Sequence, residues 1–225
     1  MGTNIYQIAI DGPSGAGKST IAKAVAAVLK IDYIDTGAMY RAIGYKIKRD
    51  NVDMYDEAAL GAMLSATDVD LSEGKVLLDG EDVSDKIRTP EMSKMASDCS
   101  ALGAVRVKLV ELQRGMARSK SVIMDGRDIG TNVLTDAKYK IYLTATVEER
   151  ARRRYKELIE KGQTVVYDDV LEDMKQRDYN DSHRQLNPLR KADDAVEVDS
   201  TEMILQEVVN TILEMVDEVE NGTVV

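Results

Sequence analysis

The sequence has no phenylalanine and no tryptophan, and it has one cysteine, one histidine and three prolines in 225 residues. Cys99 has no second cysteine to pair with, which suits a reducing cytoplasm. His183 has no second histidine with which to form a multi-histidine metal site. Without large apolar rings, the core must be filled by Ile, Leu, Val, eleven Met and ten Tyr.

Long hydrophobic runs are also missing. No apolar stretch approaches the roughly 18 residues of a membrane-spanning helix. The first residues, MGTNIYQIAIDG, lack a basic region followed by a long apolar stretch, so no secretory signal is predicted. Tyr6 stands where a myristoylation signal has Ser or Thr. We expect a cytoplasmic protein that does not attach to membranes.

The net charge of −10 is not evenly distributed. From Ala192 onward there are ten acidic residues and no Lys or Arg, so residues 1–191 hold 30 basic and 30 acidic side chains. A local basic cleft is therefore compatible with the overall acidity. The absence of an extended basic face argues against binding to nucleic acid polymers.

Short apolar runs alternate with helical patterns along the chain. Strands are predicted at residues 6–11, 32–35, 121–124, 140–143 and 195–198, and helices at 18–30, 38–48 and about 201–219. The strands are continuously apolar, as expected when a parallel sheet is covered on both faces. This order predicts an α/β fold with a doubly wound parallel sheet.

Two segments depart from the alternation. Residues 69–87 contain the turn pairs Glu73-Gly74 and Asp79-Gly80 between short β-prone runs, which predicts a small antiparallel insert. Residues 147–191 are rich in arginine and helical in pattern, without a clear strand. We interpret this second segment as a mobile cover over a site.

The strongest motif lies between the first predicted strand and the first predicted helix. Its pattern G-x-x-x-x-G-K-[ST] is that of a phosphate-binding loop (P-loop). Glycines let the backbone curl so that N–H groups face an anion, and the helix N-terminus adds partial positive charge. Lys18 is placed to reach the β- and γ-phosphates of ATP, and the Ser19 hydroxyl to ligate Mg²⁺. The predicted ATP-binding residues are Gly12, Pro13, Ser14, Gly15, Ala16, Gly17, Lys18, Ser19 and Thr20.

A phosphate loop occurs in regulatory GTPases, in ATP-driven machines and in small-molecule kinases. The chain has no N-K-x-D guanine-reading motif after the loop, which argues against a GTPase switch. Asp125 ends an apolar run and is placed to hold Mg²⁺ through water, but Gly126 follows it where a motor has a glutamate. A kinase also needs cations around the transferred group. Candidates are Arg41, Arg106, Arg127, Arg177 and Arg184, together with Arg150 and Arg152–Arg154 in the cover.

The chain resembles the bacterial cytidylate kinases of the nucleoside monophosphate kinase family. The resemblance covers essentially the whole length and rests on IDGPSGAGKST (10–20), DTGAMYR (35–41), LLDGEDVSDKIRT (77–89), MDGRDIGT (124–131) and QRDYNDSHRQLNPL (176–189). It implies transfer of the ATP γ-phosphoryl group to CMP or dCMP with Mg²⁺. It further implies a core (about 1–36, 100–146 and 192–225), an acceptor-binding subdomain (about 37–99) and a lid (about 147–191).

The resemblance also implies site residues. Residues implied to bind CMP are Thr36, Arg41, Ser97, Arg106, Arg127, Asp128, Arg177, Asp181 and Arg184, and those implied to stabilise the transferring group are Lys18, Arg127, Arg177, Arg184 and Arg153. The neighbours Arg152 and Arg154 leave the register of Arg153 open. A monomer without an obligate protein partner is expected.

Three points stay open at this stage. Relatives often have Gly-Lys-Gly-Thr in the loop, so Thr20 is an alternative to Ser19 as the metal ligand. Tyr33, Tyr40 and Tyr45 suit either core packing or stacking on a base. The alternative functions are a UMP or shikimate kinase of the same fold, and a nucleotide-dependent switch.

Overall fold

The computed structural model describes residues 5–72 and 74–220, and the side chains of 217–220 are not part of that description. Predictions that include residues 1–4, Glu73, Val219 and 221–225 therefore lie partly outside the described residues. The chain forms two compact units. Unit 1 is Met1–Tyr33 with Lys120–Val225, and unit 2 is Ile34–Ser119. The predicted three-part division into core, acceptor-binding subdomain and lid stays a prediction.

Eight strands and eight helices are found in the described residues. In chain order they are β1 (Gln7–Asp11), α1 (Lys18–Leu29), β2 (Asp32–Asp35), α2 (Thr36–Arg49), α3 (Glu57–Ser65), β3 (Val69–Ser72), β4 (Lys75–Leu78), β5 (Glu81–Asp82), α4 (Pro90–Cys99), α5 (Gly103–Ala117), β6 (Val122–Gly126), β7 (Tyr139–Thr144), α6 (Val147–Glu160), α7 (Tyr167–His183), β8 (Val196–Asp199) and α8 (Leu205–Glu220). A π-helical turn at Ile129–Val133 follows β6.

The five predicted core strands form one sheet in the order β2-β6-β1-β7-β8. The pairs β1–β6, β1–β7 and β7–β8 are parallel, with Asp11 opposite Gly126 on one side and Tyr142 on the other. Strands β2 and β6 lie on one side of β1, and β7 and β8 lie on the other side, so the strand order reverses at β1. In open α/β sheets, ligands bind at the carboxyl ends of the strands beside such a reversal. The predicted α/β fold with a doubly wound parallel sheet is confirmed, and the loop after Asp11 starts at that reversal.

The main core of unit 1 packs α1 and α8 against the sheet. Ile8, Ile10 and Leu143 of the sheet are fully buried in one cluster with Val25 of α1 and Ile212 of α8. Tyrosine supplies the aromatic rings of this core, because the chain has no phenylalanine and no tryptophan. Tyr6 and Tyr139 meet edge to face with ring centroids 5.8 Å apart, the arrangement that aromatic pairs favour.

The ends of two helices differ from the prediction for local reasons. The second helix begins at Thr36 rather than Ala38, because the Asp35 carboxylate accepts a hydrogen bond of 2.8 Å from the Ala38 N–H and caps the helix. The last helix begins at Leu205 rather than near Thr201, and the Glu207 carboxylate accepts from the Ile204 N–H just before it. Capping contacts of this kind set boundaries that apolar spacing does not.

Unit 2 contains the predicted antiparallel insert. Strands β3, β4 and β5 pair antiparallel, and both turns use left-handed backbone, at Gly74 and at Asp79-Gly80. The Asp79 carboxylate accepts from the Lys46 ammonium at 2.5 Å, which ties the second turn to α2. Helix α2 also packs closely on α4, since a Cβ added at Gly44 would lie 2.8 Å from the Met95 Cβ.

The segment predicted as a cover is helical in unit 1. Residues 147–191 contain α6 and α7 and no strand. The two helices share a small apolar cluster of Ala151, Leu158, Val170 and Met174. None of the helices within residues 5–72 and 74–220 combines the length and the apolar character that crossing a bilayer requires.

Two glycines of the phosphate loop provide a matched test of this packing. An added Cβ at Gly12 (φ +149°) would lie 1.9 Å from the Leu143 carbonyl oxygen, whereas at Gly17 (φ +88°) it would meet nothing within 4 Å. We expect Gly12→Ala to lower the free energy of unfolding by at least about 3 kcal/mol. Gly17→Ala should cost only about 1 kcal/mol from its left-handed backbone. Urea unfolding of both variants measures the difference, and equal losses would contradict the close approach at Gly12.

Candidate active site

The phosphate loop lies between β1 and α1 as the motif requires. Three of its glycines have positive φ, at Gly12 (+149°), Gly15 (+76°) and Gly17 (+88°), so the backbone curls through conformations that other residues rarely adopt. The Lys18 side chain is buried and folds back across the loop, where its ammonium donates to the Pro13 carbonyl at 2.7 Å. The loop thus presents a buried cation at the start of a helix, which is an anion site.

Lys18 belongs to a compact electrostatic cluster in unit 1. Burial lowers the pKa of Lys18 well below its ordinary value, and the nearby Arg127 and Arg177 guanidiniums lower it further. The Asp125 and Asp181 carboxylates act in the opposite direction. Three of the predicted catalytic cations are therefore brought together, with two carboxylates that offset their charge. A phosphate group entering this cluster would be stabilised by the cations.

Asp125 is held by two hydroxyl groups. The Ser19 hydroxyl donates to one carboxylate oxygen at 2.8 Å, and the Tyr33 hydroxyl donates to the other at 2.7 Å. Ser19 is half-buried beside this carboxylate, whereas Thr20 is exposed. Hydroxyl and carboxylate oxygens are the donors that Mg²⁺ prefers, so Ser19 and Asp125 fit the predicted metal site.

The number of metal-ligating side chains here is small. Within residues 5–72 and 74–216, no three His, Cys, Asp or Glu side chains form a group that could hold a metal ion.

Two ion pairs connect the turn after β6 to the end of α7. Arg127 donates to Asp181 at 2.7 Å, and Arg184 pairs with Asp128 at 3.0 Å. Burial alone would lower the pKa of Arg127 and raise the pKa of Asp181. The attraction between the two charges is stronger than the effect of burial, so the pKa of Arg127 is raised and the pKa of Asp181 is lowered. The second oxygen of Asp128 accepts from the Asn132 amide at 3.0 Å. Four of the residues implied to bind CMP are therefore joined in pairs.

The Asp11 carboxylate holds the backbone of this turn. Its oxygens accept from the Ile129 and Gly130 N–H groups, each at 2.7 Å. Burial raises the pKa of Asp11 to about 6, against the effect of the two backbone hydrogen bonds. The negative charge of Asp128 raises this pKa slightly, and Lys18 lowers it. Asp11 thus connects the strand that leads into the phosphate loop with the turn that carries Arg127 and Asp128.

Arg150 anchors α6 to the phosphate loop, although sequence reasoning placed it only in the cover. Its buried guanidinium donates to the Ser14 carbonyl at 3.0 Å and to the Ala145 carbonyl at 2.9 Å. It also pairs with Asp178 of α7 at 2.7 Å. One arginine therefore connects the loop, the end of β7 and the helix that carries Arg177.

Arg153 has different neighbours from the other predicted catalytic cations. Its guanidinium donates to the Ser200 carbonyl at 2.6 Å and to the Ser200 hydroxyl at 3.2 Å, and it pairs with Glu149 at 3.1 Å. These contacts place it at the loop that follows β8. Its catalytic role stays a prediction that these contacts do not support.

Unit 2 carries the other residues implied to bind CMP. Thr36 is buried at the start of α2, where the preceding residue Asp35 pairs with Arg41 at 3.1 Å. The Nε of Arg41 is buried and has no hydrogen-bond partner within the described residues. A buried guanidinium N–H without an acceptor is costly, and an incoming anion would satisfy it.

Arg106 and Ser97 also lie in unit 2, on α5 and α4. Arg106 is buried, donates to the Ser100 carbonyl at 3.2 Å and stands over the Tyr40 ring at 5.9 Å from its centroid. Ser97 is half-buried on the helix just before Ser100. Cation–π contact and the backbone carbonyl together fix the orientation of the Arg106 guanidinium.

Three contributors to the site were missed or only partly foreseen. Asp11 was read only as the end of a strand, and Tyr33 was assigned to packing or stacking. Arg150 was one of four nearby arginines. A helical register that starts from the Thr146 cap could have separated Arg150 from Arg153, but nothing in the sequence identifies the acceptors that each would reach.

Comparison with known proteins decides the family. A model of the family described as cytidylate kinase matches residues 8–218. The chain belongs to the cytidylate kinase family. The resemblance inferred from the motifs is thereby confirmed.

Relatives in this family are similar over nearly their whole length. Cytidylate kinase of Caldicellulosiruptor saccharolyticus is 53% identical over 212 residues, covering 92% of this chain and 94% of that protein. The Clostridium acetobutylicum cytidylate kinase is 52% identical, covering 93% and 96% respectively. The Bacillus subtilis cytidylate kinase is 49% identical, covering 94% and 96%.

Comparison with solved structures shows similarity of fold only. Shikimate kinase from Bacteroides thetaiotaomicron superposes with a TM-score of 0.51 at 13% sequence identity, covering 95% of this cytidylate kinase family member and 99% of that chain. An uncharacterized protein from Eubacterium ventriosum gives a TM-score of 0.53 at 14% identity, covering 96% and 99%. At such low identity the match supports a shared fold and says nothing about the acceptor.

The raised pKa of Asp11 predicts a pH dependence of stability. The folded state binds this proton up to about pH 6, whereas the unfolded state releases it near the ordinary aspartate pKa of 3.8. The folded state therefore holds more protons between these two pH values. The free energy of unfolding should therefore contain a term that falls by about 3 kcal/mol as pH rises from 4 to 6.

Chemical denaturation of the wild type and of Asp11→Asn between pH 4 and 7 isolates this term. Asparagine does not titrate, so we expect the variant to lack the fall while all other carboxylates contribute equally to both proteins. Parallel stability curves for the two proteins would show that Asp11 has an ordinary pKa.

Proposed function

We propose that this protein is a cytidylate kinase that transfers the γ-phosphoryl group of ATP to CMP or dCMP, giving CDP or dCDP. The observation that carries the proposal is the identity of about 50% with cytidylate kinases over more than 90% of both chains. The buried cation cluster around Lys18 supports it independently, since it suits a transferring phosphoryl group.

On the donor side, the phosphate loop would bind the β- and γ-phosphates of ATP. Lys18 is already inside the loop, and a short movement away from the Pro13 carbonyl would transfer its hydrogen bond to a phosphate oxygen. Ser19 and Asp125 would hold Mg²⁺, Ser19 directly and Asp125 through water. When bound, this ion neutralises charge on the β- and γ-phosphates.

On the acceptor side, an oxygen of the CMP phosphate would attack the γ-phosphorus of ATP. A bond forms between that oxygen and the γ-phosphorus, the bond to the β,γ-bridging oxygen breaks, and ADP leaves. The acceptor oxygen is anionic near neutral pH, so no general base is required. Arg127, Arg177 and Arg184 would stabilise the charge spread over the transferring group, and Arg41 would hold the CMP phosphate.

The cytosine base would be read by polar groups. Ser97, Arg106 and Asp128 are proposed to satisfy its amino, carbonyl and ring-nitrogen groups, and Asp181 and Thr36 to complete acceptor binding. Uracil has a carbonyl where cytosine has the amino group, so a carboxylate acceptor such as Asp128 would lose a hydrogen bond and face a like dipole. Selectivity against UMP is the expected result.

Helices α6 and α7 would act as the lid that excludes water. Their connection to the loop through Arg150 supports this role, because closure and loop conformation would then change together. Exclusion of water favours transfer to CMP over hydrolysis of ATP. We further propose a cytoplasmic monomer that needs no membrane, nucleic acid polymer or protein partner. The single cysteine, which has no second cysteine to pair with, suits the reducing compartment.

A panel of acceptors at fixed MgATP tests the function. We expect kcat/KM for CMP and dCMP to exceed that for UMP and AMP by at least about 100-fold, because a mismatched buried polar group costs several kcal/mol. A coupled assay of ADP formation measures each acceptor, and shikimate is included as a further acceptor. Comparable rates with UMP would contradict the cytosine assignment, and ATP hydrolysis that no acceptor changes would favour a nucleotide-dependent switch.

Ser19 and Thr20 form a matched pair for testing the metal site. We expect Ser19→Ala to raise the Mg²⁺ concentration needed for half-maximal activity by about 10-fold or more, because a direct ligand is lost. Thr20→Ala should change it by less than about twofold, since that side chain is exposed. Titration of Mg²⁺ at saturating ATP and CMP gives both values, and an unchanged requirement in Ser19→Ala would assign the metal elsewhere.

A further inference from the structure

The Asp11 carboxylate connects the strand that leads into the phosphate loop with the turn that follows β6. Its two oxygens accept from consecutive backbone N–H groups, of Ile129 and Gly130, at 2.7 Å each. These two residues begin the π-helical turn and directly follow Arg127 and Asp128. The site proposed for CMP does not use Asp11 as a contact.

The geometry requires a carboxylate rather than any polar side chain. Two parallel N–H donors need two acceptor oxygens, and an asparagine amide would offer one oxygen and would direct an N–H group at the second donor. The carboxylate is buried, so water is not available to replace the lost hydrogen bond.

The turn held in this way carries two ion pairs. Arg127 is paired with Asp181, and Asp128 is paired with Arg184. The backbone at Asp128 has a φ of −147° and a ψ of 30°. The next two residues donate hydrogen bonds to Asp11, and these bonds fix the path of the chain after β6. A shift of this turn would therefore move the Arg127 and Asp128 side chains relative to the phosphate loop.

We propose that Asp11 is a positioning residue for the acceptor nucleotide. It holds the turn after β6 in register with the phosphate loop, so that Arg127 and Asp128 meet the monophosphate correctly while the ATP site is left unchanged. The inference rests on the proposed function, because it takes Arg127 and Asp128 as acceptor contacts. It goes beyond that function by assigning a role to a buried carboxylate that touches neither substrate.

Steady-state kinetics of Asp11→Asn provide the test. We expect the KM for CMP to rise about 10- to 100-fold, as small displacements of binding groups do, while the KM for ATP stays within about twofold of the wild-type value. A residue that only stabilised the fold would not separate the two KM values. Far-UV circular dichroism and a thermal melt establish that the variant is folded before kinetics are measured.

A second variant keeps the test decisive if Asp11→Asn does not fold. Asp11→Glu keeps the negative charge and both acceptor oxygens but moves them by one methylene group, so it displaces the Ile129 and Gly130 N–H groups without removing their acceptors. The same separation is expected, with a raised KM for CMP and an unchanged KM for ATP. The two variants should also weaken CMP binding in calorimetry without ATP.

Asp56→Asn is the matched control. The Asp56 carboxylate likewise accepts from two consecutive backbone N–H groups, of Ala58 and Ala59, but it caps α3 and is exposed. The Asp56→Asn variant should change neither the KM for CMP nor the KM for ATP. If Asp11→Asn or Asp11→Glu, once folded, raised both KM values equally or changed neither, the positioning role would be overturned. Failure of the wild type to phosphorylate CMP would instead remove the proposed function, so the two failures are distinguishable.

Discussion

The pairing of buried cations with buried carboxylates is the constraint on which the candidate site depends. Lys18, Arg127 and Arg184 would each be costly to bury alone, and they are balanced by Asp125, Asp181 and Asp128. Under the proposed function, a phosphate would take over as the partner of the same cations. The charged donors are therefore already in position, and under the proposed function substrate binding would exchange one anion for another.

The sequence predicted the parts of the fold that depend on local pattern. The strand before Asp11, the loop and the helix from Lys18 were found because a continuous apolar run, a glycine motif and helical spacing follow one another. The antiparallel insert was found from its two glycine turns. Helix starts were less accurate, because the capping acceptors Asp35 and Glu207 compete with the apolar pattern and decide the boundary.

The partners of the charged side chains could not be predicted in the same way. Arg150 and Arg153 lie one helical turn apart, yet the first reaches the Ser14 carbonyl and the second reaches Ser200. Those acceptors are more than forty residues away in sequence, so they depend on how the sheet and its loops pack rather than on neighbouring residues. Asp11 was overlooked for the same reason, since its donors lie more than a hundred residues away.

Net charge is a poor guide to the site because exposed and buried charges act differently. The acidic residues from Asp193 to Glu214 are all exposed, and α8 turns its buried face, with Val208 and Ile212, toward the core. Exposed charges are screened by salt within about 8 Å at physiological ionic strength. The cations around Lys18 are buried or partly buried and are screened much less. The anion that they would attract under the proposed function therefore depends on their own arrangement rather than on the net charge of the whole chain.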